Sequence, residues 1–243
     1  MADFESWRQY LDFSHFVMRN ARYILGPRNQ GFLEAVKRTS KKRERLFRKG
    51  DRLWRAQLGH ATDCSGVEAP FPPERMKPLP DRANEGRVNP KGIPCLYCST
   101  ERDTAMTEAR PRVGSSVCAA EFVMQRDLTM VDCSADSRGL AWYQGVGEPA
   151  PAAREGYVWD HINWAFSQPV NRTDDAAEYA PTQVLAEAFR NAGYDGIVYG
   201  SKLGSGENVA IFDLASAELA SCQLYRVEAV TMKFVTASDP YLC

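Results

Sequence analysis

The chain has 243 residues, 44% of them apolar and 25% charged, with a net charge of -1. That suffices for one sizeable core plus a small appendage, and the balanced charge excludes a globally basic nucleic-acid binder. No apolar run reaches the roughly 18–20 residues of a membrane span, and the opening MADFESWRQYLDF has no apolar block, so neither a span nor a secretory leader is expected. Seven irregularly spaced cysteines suit a reducing compartment better than a disulfide framework, and a cytoplasmic location is expected.

Residues 3–25 place Phe4, Trp7, Leu11, Phe16, Met18 and Ile24 at loosely helical spacing, closed by Gly26-Pro27. Residues 29–49 read as a second helix, apolar at Phe32, Leu33, Val36, Leu46 and Phe47 and dense in cations from Lys37 to Lys49. Such a face is most simply solvated surface, and alternatively a docking site for a partner or polyanion. Without interleaved aromatics it is weak ground for nucleic-acid recognition. Residues 1–50 are therefore expected to form a helical amino-terminal extension, ahead of a catalytic-sized domain over 51–243.

Residues 51–58 read as a strand with Leu53, Arg55 and Gln57 on one face and Trp54 and Leu58 on the other. An arginine inside an apolar strand is costly unless something pairs with it. Residues 60–80 are rich in Pro, Gly and small polar residues and predict a long loop, the kind that serves as a lid or binding loop.

Residues 85–111, EGRVNPKGIPCLYCSTERDTAMTEARP, combine an arginine after glycine, an Asn-Pro-x-Gly turn, a short apolar strand and a helix with one acid at Glu108. This loop–strand–helix unit would present Arg87, Tyr97 and Glu108 to a common space suited to an anionic, aromatic ligand such as a nucleotide. Strands follow at 115–122 and 128–132 with a turn at 125–127, then irregular chain over 134–151. A helix is expected at 157–166, with Trp159, Ile162 and Phe166 on one face, followed by a loop over 168–175. Another covers 181–190, with Pro at its start and Asn191-Ala192-Gly193 at its end. A buried strand at 196–199, a glycine-rich loop at 201–207, a strand at 208–212 and one or two strands within 221–234 complete a mixed α+β domain. No strand–helix–strand alternation with a GxGxxG turn occurs, so a Rossmann fold is not expected.

Cys95 and Cys98 form a CxxC with no second pair at zinc-site spacing, and His15, His60 and His161 are scattered, so no metal site is expected. No GxSxG elbow or GxxxxGK[ST] loop is present. What remains is arginines beside loops, a tyrosine and a helix-borne acid. Guanidinium groups bind phosphate in a bidentate manner and tyrosine can stack on a planar ring. Taken singly, Arg55 and Arg87 are as readily surface ion pairs, Tyr97 a core residue and Glu108 an exposed helical acid.

Taken in order, Leu53-Trp54-Arg55-Ala56, Gly86-Arg87-Val88-Asn89-Pro90-x-Gly92-Ile93-Pro94-x-Leu96-Tyr97, and Thr104-Ala105-x-x-Glu108 resemble the RES domain, named for its Arg, Glu and Ser. Tyr179-x-Pro181-Thr182-Gln183-x-x-x-Glu187, Gly193-Tyr194-Asp195-Gly196-Ile197-x-Tyr199-x-Ser201 and Gly206-x-Asn208-Val209-x-Ile211-Phe212 complete the likeness, from about Arg52 to Asp213. The resemblance implies an ADP-ribosyltransferase-like fold of short strands with flanking helices, and a toxin of a bacterial toxin–antitoxin pair. It implies an enzyme that consumes NAD+ as phosphorylase or glycohydrolase, without a further cofactor and with inorganic phosphate as co-substrate. Protein ADP-ribosylation, or a non-enzymatic module using the basic helix, are the alternatives.

By the same resemblance the name-giving triad falls on Arg87, Glu108 and Ser201. Arg55 matches an earlier arginine and Tyr97 a ring-stacking tyrosine, both binding the dinucleotide. A cognate Xre-type helix-turn-helix antitoxin is the implied partner, with a dimer or larger assembly allowed and no membrane or direct nucleic-acid partner. The chain departs from the compact toxins in a longer loop between Arg55 and Arg87 and in its amino-terminal extension.

Overall fold

The computed structural model describes residues 3–79, 83–137, 147–168, 176–232, 234 and 236. The chain opens with helices α1 (Gln9–Arg19) and α2 (Pro27–Ser40). Pro27 suits the first position of α2, where its missing N–H would have no intrahelical partner. A 3₁₀ turn at Lys41–Arg43 then leads into strand β1 (Glu44–Phe47). The single helix expected over residues 29–49 is thereby corrected. Leu46 is 45% exposed and Phe47 only 7%, the alternation of a strand, and pairing with a partner far along the chain overrides the local helical pattern.

Next come β2 (Arg52–Leu58), the small hairpin β3 (Ala61–Thr62) and β4 (Glu68–Ala69), and the short helix α3 (Pro73–Met76). The segment expected as plain loop thus carries structure, anchored by fully buried Met76. Then follow β5 (Leu96–Ser99), α4 (Arg102–Glu108), β6 (Ser116–Met124), β7 (Leu128–Asp132), α5 (Pro151–Ser167), α6 (Ala180–Asn191), β8 (Gly196–Gly200), β9 (Glu207–Ile211) and β10 (Ala217–Arg226). The last strand begins earlier and ends earlier than the expected 221–234, because it pairs along the whole of β6. Most of the chain expected to be irregular, residues 138–146 and 169–175, lies outside the described residues.

The eight-stranded sheet runs β1-β7-β8-β9-β5-β2-β6-β10, parallel between β7 and β8 and antiparallel elsewhere. The parallel pair is joined by the chain that carries α5 and α6, so one strand–helix–strand crossover exists without any glycine-rich dinucleotide turn. Strands β6 and β7 stand five positions apart in that order but are separated only by Gln125, Arg126 and Asp127. Five strand spacings would be about 24 Å in a flat sheet. Four Cα steps reach about 15 Å at most. The sheet therefore curls, and its inner face is filled by Leu53, Leu96, Phe122, Met124, Leu128, Met130, Val198, Val209 and Ile211.

On the outer face, α1, α2, α5 and α6 bury Tyr10, Phe13, Phe32, Val36, Trp159, Phe166, Leu185 and Phe189 in one cluster with Val131, Ile197 and Ala210 of the sheet. The amino-terminal helices are thus part of the main core. Much of the cation-rich run from Lys37 to Lys49 is engaged within the chain: Arg38 with Asp3 at 2.7 Å, Lys42 with Glu155 at 2.8 Å, Arg45 with Glu207 at 2.5 Å and Arg48 with Asp127 at 2.8 Å. Trp159 joins three helices. Its indole N–H donates to Thr39 Oγ1 at 3.1 Å and its ring stacks on Phe189 at 6.1 Å. Trp159→Ala is expected to remove about 3–5 kcal/mol of stability, read from the denaturant midpoint. A loss under 1 kcal/mol would contradict a shared core. Among the described residues no helix is long and apolar enough to cross a membrane.

Candidate active site

Strand β2 pairs with β6 along all seven of its residues but meets β5 at one point, Trp54 opposite Ser99. Beyond that point β2 and β5 diverge, and the side chain of Arg55 enters the gap. Its Nη1 donates to the Tyr97 carbonyl at 2.9 Å, while its Nε is enclosed without a hydrogen-bond partner. Among the described residues no carboxylate lies within ion-pair distance of Arg55, and burial pulls its guanidinium below the ordinary value. A desolvated, uncompensated cation is costly in the free protein. It is a ready partner for an anion.

Glu108 is the last residue of α4, Ser201 follows β8, and Asn208 lies in β9. Ser201 Oγ donates to Glu108 Oε1 at 2.7 Å, and Asn208 Nδ2 donates to the same oxygen at 2.7 Å. Asn208 Oδ1 in turn accepts from Ser99 Oγ at 2.9 Å, which sets the orientation of the amide. Ser201 Oγ also accepts from the backbone N–H groups of Leu203 (3.0 Å) and Gly204 (3.2 Å). Two donors therefore hold one carboxylate oxygen of Glu108 and leave Oε2 without a protein donor among the described residues.

The loop that carries Ser201 can lie on α4 because of its glycines. A Cβ at Gly204 would stand 2.4 Å from Thr104 Oγ1 and 2.9 Å from Thr104 Cα, and the Gly206 N–H donates to that hydroxyl at 2.9 Å. Tyr97 is fixed by the turn before it: its hydroxyl donates to Asn89 Oδ1 at 2.6 Å and accepts from Val88 N–H at 3.1 Å. The Asn89 amide meanwhile ties down the carbonyls of Asn84, Pro90 and Ile93. Burial raises the Tyr97 phenol well above its usual range, so it stays a neutral donor. A Cβ at Gly86 would sit 2.6 Å from this hydroxyl. Gly86→Ala is expected to displace the Tyr97 ring and lower stability by about 1–3 kcal/mol through overpacking, read from thermal unfolding; an unchanged melting temperature would show that the turn relaxes freely.

A cavity of about 200 Å³ is bordered by Arg55, Tyr97, Glu108, Tyr199, Asn208 and Trp54. Ser201 reaches it through Glu108. Arg87 borders neither this cavity nor the wider one of about 440 Å³ on the other side of Arg55. Its Nε donates to the Gln168 carbonyl at 2.8 Å and its guanidinium lies 5.1 Å from the Tyr179 ring centroid. Asn208 and Ser99 did not stand out from spacing. The trace they leave in the sequence is a polar residue opening the apolar run Val209-Ala210-Ile211-Phe212.

Cys95 and Cys98 sit three apart in extended chain and so face opposite ways, one into the outer core and one into the inner. Burial pushes both thiols up to about 12. They are packing residues.

The curled sheet of this α+β domain is split between two strands and is lined there by an arginine, an asparagine and an acid that the asparagine and a serine hold by hydrogen bonds. The chain belongs to the RES domain family, whose family model matches residues 52–234. Among curated proteins none matches the sequence. Among solved structures, the crystal structure of the M. tuberculosis MbcT–MbcA toxin–antitoxin complex is similar at 15% identity with a TM-score of 0.44, over 79% of this chain and 92% of that one.

Proposed function

We propose that the protein cleaves the nicotinamide–ribose bond of NAD+, with inorganic phosphate as the acceptor, and so acts as an NAD+-consuming toxin. The observation that carries this reading is Glu108, held by Ser201 and Asn208 through one oxygen in a cavity shared with Arg55 and Tyr97. Nicotinamide leaves as a neutral group when the C1′–N bond electrons return to its ring, so no strong general acid is needed. The barrier lies in the oxocarbenium-like ribosyl cation, as in glycoside cleavage. Glu108 Oε2 opposes that charge and accepts ribose hydroxyls. Tyr97 offers its ring to the nicotinamide, and Arg55 binds the pyrophosphate.

Arg87, held by the Gln168 carbonyl and lying over the Tyr179 ring, and Ser201 are assigned to the incoming phosphate. A phosphate oxygen bonds to C1′ and gives ADP-ribose 1″-phosphate; water in its place gives ADP-ribose and a proton. An enzyme that drains NAD+ needs a restraint in its own cell, and family resemblance points to a cognate Xre-type antitoxin.

The test is incubation of the pure protein with NAD+ and phosphate, with products resolved by mass. A phosphorylated sugar nucleotide is the expected product. ADP-ribose alone would replace phosphorolysis by hydrolysis, and modified protein would replace it by transfer. Intact NAD+ would overturn the enzymatic reading.

A further inference from the structure

The wider cavity lies across Arg55 from Glu108, and its far wall comes from the segment between β2 and β5. Arg55 and Tyr97 border both cavities, so a pyrophosphate resting on Arg55 would send one nucleoside to each side. The wall of the wider side carries Gln57, Glu74, Arg75, Asn84 and Glu85. Among the described residues neither Glu74 nor Glu85 is in an ion pair. Lys77, also on this wall, is engaged by Glu218 at 2.9 Å. The Arg75 guanidinium lies 5.1 Å over the Phe71 ring, and the Arg75 carbonyl accepts from Gln57 Nε2 at 3.1 Å, which ties α3 to β2.

We propose that this wider cavity binds the adenosine half of the dinucleotide and selects one whose adenosine ribose is unphosphorylated. The inference rests on the reading that the Glu108 side takes the nicotinamide ribose. The chemistry of the wall supports it in three ways. Arg55 supplies an unpaired cation where the pyrophosphate must cross. Arg75 offers a planar guanidinium that can stack on a purine. Glu74 and Glu85 offer carboxylates to ribose hydroxyls, as an acid does for the ribose 2′-OH in dinucleotide-binding domains. A 2′-phosphate would set a dianion beside two unpaired carboxylates against the single exposed charge of Arg75, a repulsive element that discriminates between otherwise similar ligands.

Calorimetric titration with ADP and with its 2′-phosphorylated form tests the subsite without any turnover. The parent protein is expected to bind ADP at least tenfold more tightly than the 2′-phosphate. In the Glu74→Gln/Glu85→Gln double variant that ratio should fall toward one, and Arg75→Ala should weaken ADP itself several-fold. Circular dichroism checks that the variants fold, as expected for substitutions at two exposed carboxylates. A parent that binds both ligands equally, or a double variant that keeps the parental ratio, would overturn the proposal. NAD+ turnover with no ADP binding would overturn the subsite while the proposed reaction stands. Selective ADP binding without NAD+ turnover would overturn the reaction while the subsite stands.

Discussion

Glu108→Gln is expected to slow NAD+ cleavage by on the order of a hundred- to a thousandfold, about 3–4 kcal/mol of transition-state stabilisation. The substitution isolates charge from shape. Glutamine keeps a carbonyl oxygen able to receive the 2.7 Å bonds from Ser201 and Asn208, so the loop after β8 and strand β9 keep their anchor. What disappears is the negative oxygen turned toward the cavity, replaced by an N–H₂ that cannot oppose a developing cation. KM for NAD+ should change far less than kcat, because the lost interaction strengthens only as the ribose becomes positive. Parental turnover in a variant with an unchanged melting temperature would remove Glu108 from the chemistry altogether.

How much of this was legible beforehand follows from the range of each signal. Helix α6 was readable because Pro181 and Gly193 punctuate it locally, and β8 because Ile197, Val198 and Tyr199 form a short apolar run between glycines. Residues 44–47 misled because Leu46 and Phe47 continue a helical stripe. Only the pairing of Glu44–Phe47 with β7, more than eighty residues away, makes them a strand. The curl of the sheet was equally hidden: Gln125-Arg126-Asp127 looks like a hairpin turn, yet β6 and β7 do not pair. The α+β class survived these errors, since it depends on which elements exist and not on their order. The site divides in the same way. Arg55, Tyr97 and Glu108 come from nearby blocks and border one cavity. Ser201 and Asn208 reach Glu108 across about a hundred residues of sequence, and Arg87 borders neither cavity, which no spacing rule could have indicated.

The part of Asn208 can be tested by giving it a charge. In Asn208→Asp a carboxylate would replace the amide that lies 2.7 Å from Glu108 Oε1. Two carboxylates at that distance repel each other's charge, so the pair holds its last proton more tightly and its upper pKa rises by roughly one to a few units. On the proposed mechanism, turnover requires the full negative charge at Glu108. The acid limb of the variant's rate profile should therefore move to higher pH, with activity lost about tenfold per unit that the assay pH lies below the raised value.

The sign for stability is opposite. A pair whose folded pKa lies above its unfolded value binds more protons when folded, so its contribution is full at low pH and is lost as pH rises through the raised value. The variant should gain activity and lose melting temperature over the same pH interval. A residue that merely filled space would give neither trend, and a rate profile superimposed on the parent's would show that Asn208 does not touch the carboxylate in solution. Asn208→Ala separates the two effects, because it removes the donor without adding charge. Its rate should fall by less, with no displacement of the acid limb, since Ser201 still holds Glu108 Oε1.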